Sequence, residues 1–224
     1  MRKRIKLRDR TLPDYSRGEE IMNMVTHIVG GGFGIIALIL AVLRVHSTHS
    51  TAKIASCIIY GCTMIALYCI SSVYHGLRSG TGKKVMQIVD HCAIYFLIAG
   101  TYTPILLCVF TPANPLLGWG LLAAQWGLAC LATVLTAIDL KKYNIFSMVC
   151  YILMGWCIIF FMPVALDLIV PQGFALLLLG GILYTLGAVL YGIGSKVHWM
   201  HCVFHIFVVA GSIAQFFSIY LYML

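Results

Sequence analysis

Three histidines lie close together in the stretch HWMHCVFHIF, residues 198–207, which is otherwise almost entirely apolar. His201 and His205 are four residues apart, so both imidazoles project from one face of a helix. Ser71 and His75 have the same spacing at the end of an earlier apolar stretch. Because a polar or ionisable side chain is costly inside an apolar helix, these residue types at this spacing indicate a functional site.

The residues His75, His201 and His205 are suited to bind a metal ion together, two from one helix and one from another. Zinc held by three protein ligands keeps its fourth position for water, which is the catalytic arrangement. The ion lowers the pKa of that water towards neutrality and so makes it a nucleophile. We therefore predict Zn2+ as the cofactor, although iron, cobalt and nickel also suit histidines with a carboxylate.

Two further side chains are candidates for the catalytic steps. Asp90 lies near the start of another apolar stretch, and its carboxylate could orient the water or take its proton. The Ser71 hydroxyl could hydrogen-bond the water or an oxygen atom of the substrate. His91 follows Asp90 directly, and consecutive residues on a helix do not face each other, so we expect that they do not serve one centre.

Other polar and small residues in the apolar stretches fit more than one role. His198 suits a position at the membrane interface as well as a ligand. Asn23 and His27 are four residues apart, and they either line the mouth of a cavity or join helices. Gly30 and Gly34 have the spacing that lets two helices approach closely, which favours a packing role.

The composition predicts an integral membrane protein. Of the 224 residues, 61% are hydrophobic and only 10% are charged, whereas globular domains have about 25% charged residues. A spanning helix takes about 20 apolar residues, so the chain accommodates roughly seven spans and no separate soluble domain. The nine cysteines lie mainly in these apolar stretches and are expected to be packing residues.

Apolar stretches between polar breaks predict an all-α membrane fold of seven transmembrane helices. We expect a basic cytoplasmic segment over residues 1–20, followed by a single seven-helix domain over residues 21–224. The predicted spans are residues 21–43, 53–77, 85–109, 116–138, 144–163, 172–193 and 198–222.

The distribution of charge sets the expected orientation. The net charge is +8, and seven of the fifteen basic residues precede the first span. With the N-terminus in the cytoplasm, thirteen of the fifteen face the cytoplasm, and only Arg44 and Lys53 face outward. The positive-inside rule therefore predicts a cytoplasmic N-terminus and an extracytoplasmic C-terminus. This clustering at the membrane boundary also argues against nucleic acid as a partner.

The predicted topology brings the candidate site residues to one depth in the membrane. The second span ends at the cytoplasmic boundary, and the third and seventh spans begin there. We therefore expect the candidate residues of these three spans to lie close together, just inside that boundary, at the same depth as the polar residues Glu19, Glu20, Asn23 and His27 at the start of the first span. The candidate residues are Ser71, His75, Asp90, His201 and His205.

Four stretches of the chain resemble the hemolysin III family, the bacterial branch of the progestin and adiponectin receptor superfamily, which is related to alkaline ceramidases. The stretches are EEIMNMVTHIVGGGFG, SSVYH, DHCAIYFLIAGTYTP and HCVFHIFVVAGS, and the likeness runs in this order to the end of the chain. Jointly they are specific, whereas any one of them alone would be a weak signal.

The resemblance implies a seven-helix protein with a cytoplasmic N-terminus and a zinc ion held by three histidines near the cytoplasmic side. The S-x-x-x-H motif of the family corresponds to Ser71 and His75, and its H-x-x-x-H motif to His201 and His205. Asp90 would contact the zinc-bound water. The resemblance also implies the bacterial inner membrane as the location, and a link to membrane-lipid homeostasis.

We predict a zinc-dependent hydrolase that acts on a lipid-like amide or ester, with a membrane lipid as its substrate or ligand. One alternative is a lipid sensor or receptor with structural zinc, which a fourth protein ligand would favour. Another is a hemolysin-like pore-former, against which the almost wholly apolar spans argue. Transport is a further alternative, although the sequence places no charged residue at mid-membrane to couple ions.

Overall fold

A computed structural model describes residues 7–194 and 197–224, and in these two ranges the chain is mainly helical and has no β-strand. The predicted all-α class is thereby confirmed. Residues 1–6 of the basic N-terminal segment and Lys196, one of the predicted cytoplasmic charges, lie outside the described residues.

Long helices follow one another along the chain with short connections. The α-helices are α1 (Arg17–His46), α2 (Thr51–Gly76), α3 (Thr81–Ile105), α4 (Thr111–Ala113), α5 (Pro115–Ile138), α6 (Asn144–Gly155), α7 (Met162–Leu168), α8 (Pro171–Gly194) and α9 (Met200–Tyr222). Two 3-10 segments, Leu7–Asp9 and Cys157–Phe161, precede α1 and α7 respectively. A π-helical segment, Leu106–Phe110, follows Pro104 of α3 and leads into the single turn α4.

The helix content agrees with the predicted membrane topology. Among the described residues, six helices are long and apolar enough to cross a bilayer. The pair Asn144–Gly155 and Cys157–Leu168 supplies a seventh span if the two parts, bent by 41°, are counted as one. The side of the membrane on which each terminus lies stays a prediction.

The break in this seventh span is stabilised by a side chain of another helix. Pro163 stands in the first turn of α7, a position where the missing N–H of proline needs no partner. The Tyr102 hydroxyl donates to the Gly155 carbonyl (2.8 Å) and accepts from the Ile158 amide (3.0 Å). One side chain of α3 thus satisfies two backbone groups at the break. The predicted span 144–163 did not include this bend.

Helix α3 lies at the centre of the bundle. Neighbouring helices pack in the order α8, α9, α1, α2, α3 and α5, and α6 packs on both α3 and α5. In the span Thr81–Ala113, of which α3 is the main part, 67% of the apolar segment is buried, compared with 22% for α5. Any side chain near the start of α3 is therefore well placed to meet residues of the surrounding helices.

Glycines let α1 and α2 approach closely. A Cβ atom at Gly30 would lie 2.8 Å from the Tyr68 ring, and one at Gly34 would lie 3.1 Å from Ile65 Cγ1. On the other helix, a Cβ atom at Gly61 would lie 2.6 Å from Leu38 Cβ. The predicted packing role of Gly30 and Gly34 is confirmed.

A capping box fixes the start of α1 next to the start of α9. The Ser16 hydroxyl accepts from the Glu19 amide (3.3 Å), and the Glu19 carboxylate accepts from the Ser16 amide (2.8 Å). This reciprocal pair satisfies two donors at the helix N-terminus. The same carboxylate accepts from the backbone amide of Trp199 (2.7 Å). The first turns of α1 and α9 therefore have a defined position relative to each other.

Candidate metal centre

The three predicted histidine ligands meet at the end of the bundle where α1, α3 and α9 begin and α2 ends, which we call the histidine end. His75 lies in the last turn of α2, and His201 and His205 lie in the first two turns of α9. One ring nitrogen of each lies within 4.8 Å of the other two, and all three residues are buried. This group could hold a metal ion.

The ring nitrogens are spaced as ligands of one ion would be. His201 Nε2 and His205 Nε2 are 3.1 Å apart, and two nitrogens on a tetrahedral zinc ion would be about 3.3 Å apart. His75 Nε2 is buried and has no hydrogen-bond partner in the part of the chain that the structure describes. An unsatisfied buried nitrogen is costly, and a metal ion between the three rings would satisfy it. The set of imidazoles therefore fits zinc.

Two charged residues, Glu20 and Lys83, lie on the Nδ1 side of the His75 ring. Its Nδ1 atom lies 2.7 Å from Glu20 Oε2, and Glu20 Oε1 lies 2.6 Å from the Lys83 ammonium. An ionised carboxylate only accepts hydrogen bonds, so His75 Nδ1 donates its proton to Glu20. The Nε2 lone pair is then free for a metal ion.

The histidine spacing does not predict Glu20 or Lys83, but the sequence contains a signal for the former. Glu20, Asn23 and His27 are separated by three and four residues, so they share one face of α1. That face points to the site, because Asn23 Nδ2 lies 3.5 Å from His75 Nδ1 and the His27 ring stacks on His205 at 3.8 Å. Both ring nitrogens of His27 are buried without a hydrogen-bond partner among the described residues.

The predicted catalytic residues Asp90 and Ser71 line one cavity together with His201 and His205. The Ser71 hydroxyl and the Asp90 carboxyl group therefore border the same space, on neighbouring helices α2 and α3. Within residues 7–194 and 197–224, the group of closely spaced ligand atoms does not include Asp90. The structure therefore places both residues on the cavity wall and leaves three protein ligands in the histidine group.

The remaining two histidines at this end have separate surroundings. His91 Nδ1 donates to the Gln87 carbonyl (2.8 Å), and His91 Nε2 lies 3.2 Å from the Tyr191 hydroxyl. It lines the cavity, as Asp90 does, a proximity that the spacing of adjacent residues did not predict. The His198 side chain is 75% exposed and lies 3.2 Å from Glu19, so it occupies a surface position outside the histidine group.

The cavity has a volume of about 170 Å³ and extends from the histidines into the interior of the bundle. Along α9 its lining includes His201 and Gln215, which are about 21 Å apart at the rise of an α-helix. Trp156 and Thr185 also belong to the wall. Most other lining side chains are aliphatic or aromatic, so the cavity suits an apolar chain.

The segment that precedes α1 covers the cavity at the histidine end. The Tyr15 ring stacks on His201 with the ring centroids 4.8 Å apart and the planes at 20°. Burial raises the pKa of the Tyr15 hydroxyl above its usual value, and the nearby Tyr191 and Glu20 add to this effect. A hydrogen bond joins this segment to α3, in which the Lys84 ammonium donates to the Arg8 carbonyl (2.7 Å).

Fold and site together define a multi-pass helical membrane protein with a buried three-histidine group that could hold a metal ion. Residues 15–216 match the family model described as "Haemolysin-III related". The chain is 40% identical over 207 residues to "Hemolysin-3" of Bacillus cereus, which covers 92% of each protein. It is 38% identical over 204 residues to "Hemolysin-3 homolog" of Bacillus subtilis (strain 168), covering 91% of this chain and 94% of that one. The chain therefore belongs to the haemolysin-III related family, and the resemblance seen in its motifs is confirmed.

Proposed function

We propose that the protein is a zinc-dependent hydrolase of a lipid-like amide or ester, with a role in membrane-lipid homeostasis. The observation that carries this proposal is the group His75, His201 and His205 beside the apolar cavity. Structural zinc sites are closed by four protein ligands, whereas catalytic sites have three and keep one position for water or substrate. Three histidines with Asp90 outside the group match the second pattern.

Each residue has a role in this hydrolysis. Zinc bound to the histidines would act as a Lewis acid on a carbonyl oxygen and lower the pKa of a water molecule. His75, His201 and His205 would hold the ion. The Asp90 carboxylate would orient the attacking water, take its proton and deliver that proton to the leaving nitrogen or oxygen. The Ser71 hydroxyl would support the water or the substrate oxygen.

The shape of the cavity supports a lipid as the substrate. From His201 to Gln215 the lining covers about 21 Å of helix, compared with the ~30 Å of a bilayer hydrocarbon core. An acyl chain would enter from the bilayer and place its carbonyl group beside the histidines. We propose that the protein lies in the bacterial inner membrane with its N-terminus in the cytoplasm, so that the headgroup product leaves to the cytoplasm.

Two other functions make different use of the same features. A lipid sensor or receptor would hold zinc without turnover, and the enclosed cavity would then bind a lipid ligand. Cytolysis by a pore is suggested by the name of the relative "Hemolysin-3" of Bacillus cereus. Dye release from pure lipid vesicles that contain the purified protein would support the pore, and intact vesicles would eliminate it.

The first test is the metal content of the detergent-purified protein, measured by elemental analysis. We expect about one zinc ion per chain and its loss in His75→Ala, His201→Ala and His205→Ala. His198→Ala is the matched control, because this histidine lies in the same stretch but outside the group. A wild-type protein purified without chelators that contains no metal would contradict the proposal.

The second test separates an enzyme from a protein with structural zinc. The substrates are a fluorescent N-acyl sphingosine and a fluorescent fatty acyl ester in detergent micelles. Asp90→Asn should retain zinc and lose about 10²–10⁴-fold in turnover, the usual contribution of general acid–base catalysis. If the wild type contains zinc but hydrolyses neither substrate class, the sensor function is favoured instead.

A further inference from the structure

The three histidines differ in the partner of the outer ring nitrogen, the one that points away from the other two rings. Among the described residues, His75 is the one member of the group whose outer ring nitrogen faces a carboxylate, that of Glu20 at 2.7 Å. Glu20 lies in the first turn of α1, and His75 lies in the last turn of α2. The contact therefore joins two helices at the metal centre.

We infer that Glu20 and Lys83 are positioning residues, which hold His75 in the tautomer and ring orientation that a metal ion requires. This inference rests on the proposed metal site and names residues that the histidine motifs do not include. A carboxylate on the outer nitrogen of a metal-binding histidine fixes the ring and raises the basicity of the inner nitrogen. Glu20 Oε2 is placed for this role.

Lys83 engages the other oxygen of the same carboxylate. Its ammonium lies 2.6 Å from Glu20 Oε1 and donates to the backbone carbonyls of Leu77 (3.1 Å) and His75 (3.4 Å). Lys83 is only 4% exposed, and a buried ammonium is stable only with such partners. With one oxygen on Lys83 and the other on His75, Glu20 is held behind the histidine and does not become a fourth ligand.

The arrangement is a row across three helices, from Lys83 on α3 through Glu20 on α1 to His75 on α2. It explains why α1 contributes to the metal centre although it supplies no ligand. It also predicts an order of effects: Lys83 acts through Glu20, and Glu20 acts through His75. Loss of Lys83 should therefore matter less than loss of Glu20, and it should not matter once Glu20 is changed.

The test measures zinc affinity by competition with a chromophoric chelator, using full-length protein in detergent. Glu20→Gln should weaken zinc binding by about 10–100-fold, the usual effect of removing such a partner. Lys83→Met should weaken it less, and the double variant should match Glu20→Gln, because residues in one network are not additive. Thermal unfolding of the zinc-free proteins separates this effect from a general loss of stability.

Glu19→Gln is the matched control. Glu19 is the neighbouring buried carboxylate, and within the described ranges the partners of its carboxylate are Ser16, His198 and Trp199, which are outside the histidine group. Its loss should lower the unfolding temperature and leave the zinc affinity unchanged. Equal zinc affinity in Glu20→Gln and wild type would overturn the inference, as would equal affinity in Lys83→Met and wild type. A wild type that binds no zinc would instead overturn the proposed function, and the inference with it.

Discussion

The two ends of the bundle are built from different kinds of residue. At the histidine end the buried side chains include ionisable ones. His75 and Lys83, which both contact Glu20, are each at most 4% exposed. At the opposite end the buried side chains are mainly apolar, among them Val45, Phe110 and Ile219, each at most 1% exposed, and the buried polar residues Ser56 and Ser218 carry only small hydroxyl groups. The same helices α1, α2, α3 and α9 run through both ends, so the difference lies in the side chains and not in the fold.

This difference indicates that the apolar end stabilises the protein and that the histidine end is arranged for function. Apolar side chains and close glycine contacts favour the folded state by packing. Buried charges and unpartnered imidazoles do the opposite, because each must be taken out of a better-solvated state. We therefore expect substitution of a candidate metal ligand to change metal binding with little loss of stability, and substitution in the packed apolar core to do the reverse.

The largest expected effect is that of His205→Leu. This change should abolish zinc binding, because it removes one of three ligands. It should leave the zinc-free protein as stable as wild type or more stable, since an apolar side chain of similar volume replaces a buried polar one. Elemental analysis and denaturant unfolding of the zinc-free protein measure the two effects. A large loss of stability without zinc would show that the imidazole has a structural role of its own.

The second largest expected effect is the loss of stability when the metal is removed from the wild-type protein. A ligand present at one hundred times its dissociation constant stabilises a protein by about 2.7 kcal/mol. A chelator should therefore lower the unfolding temperature of the wild type and of Gly61→Ala by similar amounts. It should not change that of His205→Leu. Chelator sensitivity in His205→Leu would mean that zinc binds elsewhere.

Gly61→Ala should test the contact between α1 and α2. The added Cβ atom would meet Leu38 Cβ at 2.6 Å, an atom that cannot move without the backbone. We expect a destabilisation of about 1–3 kcal/mol and unchanged zinc affinity. Gly127→Ala in α5 is the control, because no heavy atom of another part of the described chain lies within 4 Å of its Cβ position. Equal stability of the two variants would contradict the proposed importance of close packing.

The smallest effect is expected for Tyr15→Ala, which uncovers the histidine end. The Tyr15 ring stacks on His201 at 4.8 Å and forms part of the cavity wall at the histidine end. Its removal should speed the extraction of zinc by a chelator and leave the amount bound at equilibrium nearly unchanged. Stopped-flow absorbance with Tyr15→Phe as the control measures the rate. An unchanged rate in Tyr15→Ala would indicate that chelators reach the site by another route.

Much of the fold could be predicted from the sequence, because a bilayer requires apolar segments of nearly fixed length. This requirement predicts seven spans and their approximate ends. It does not predict the break near Trp156, which depends on a hydroxyl of another helix, Tyr102, to satisfy the backbone. Contacts of this kind depend on tertiary packing. They do not produce a periodic pattern in the sequence of the segment that bends.

The candidate site was predictable where it depends on helical spacing and topology. The i, i+4 spacing places His201 and His205 on one helical face, and the order of the spans places His75 at the same end of the bundle. The structure brings the ring nitrogens of all three together. Helical spacing places Glu20 on one face of α1 with Asn23 and His27, but it does not predict the contact of Glu20 with His75, and it gives no signal for Tyr15. Glu20 reaches the site from a third helix, and Tyr15 reaches it from an irregular segment without periodicity.

The most direct test of the three-ligand centre is zinc X-ray absorption spectroscopy on the purified wild-type protein. We predict a first shell of nitrogen and oxygen atoms only, at about 2.0–2.1 Å, with imidazole scattering from three histidines. The same measurement on Asp90→Asn should give an unchanged spectrum, because Asp90 lies outside the histidine group. A sulfur shell at about 2.3 Å, fewer than three imidazoles, or a spectrum altered in Asp90→Asn would contradict the three-histidine centre.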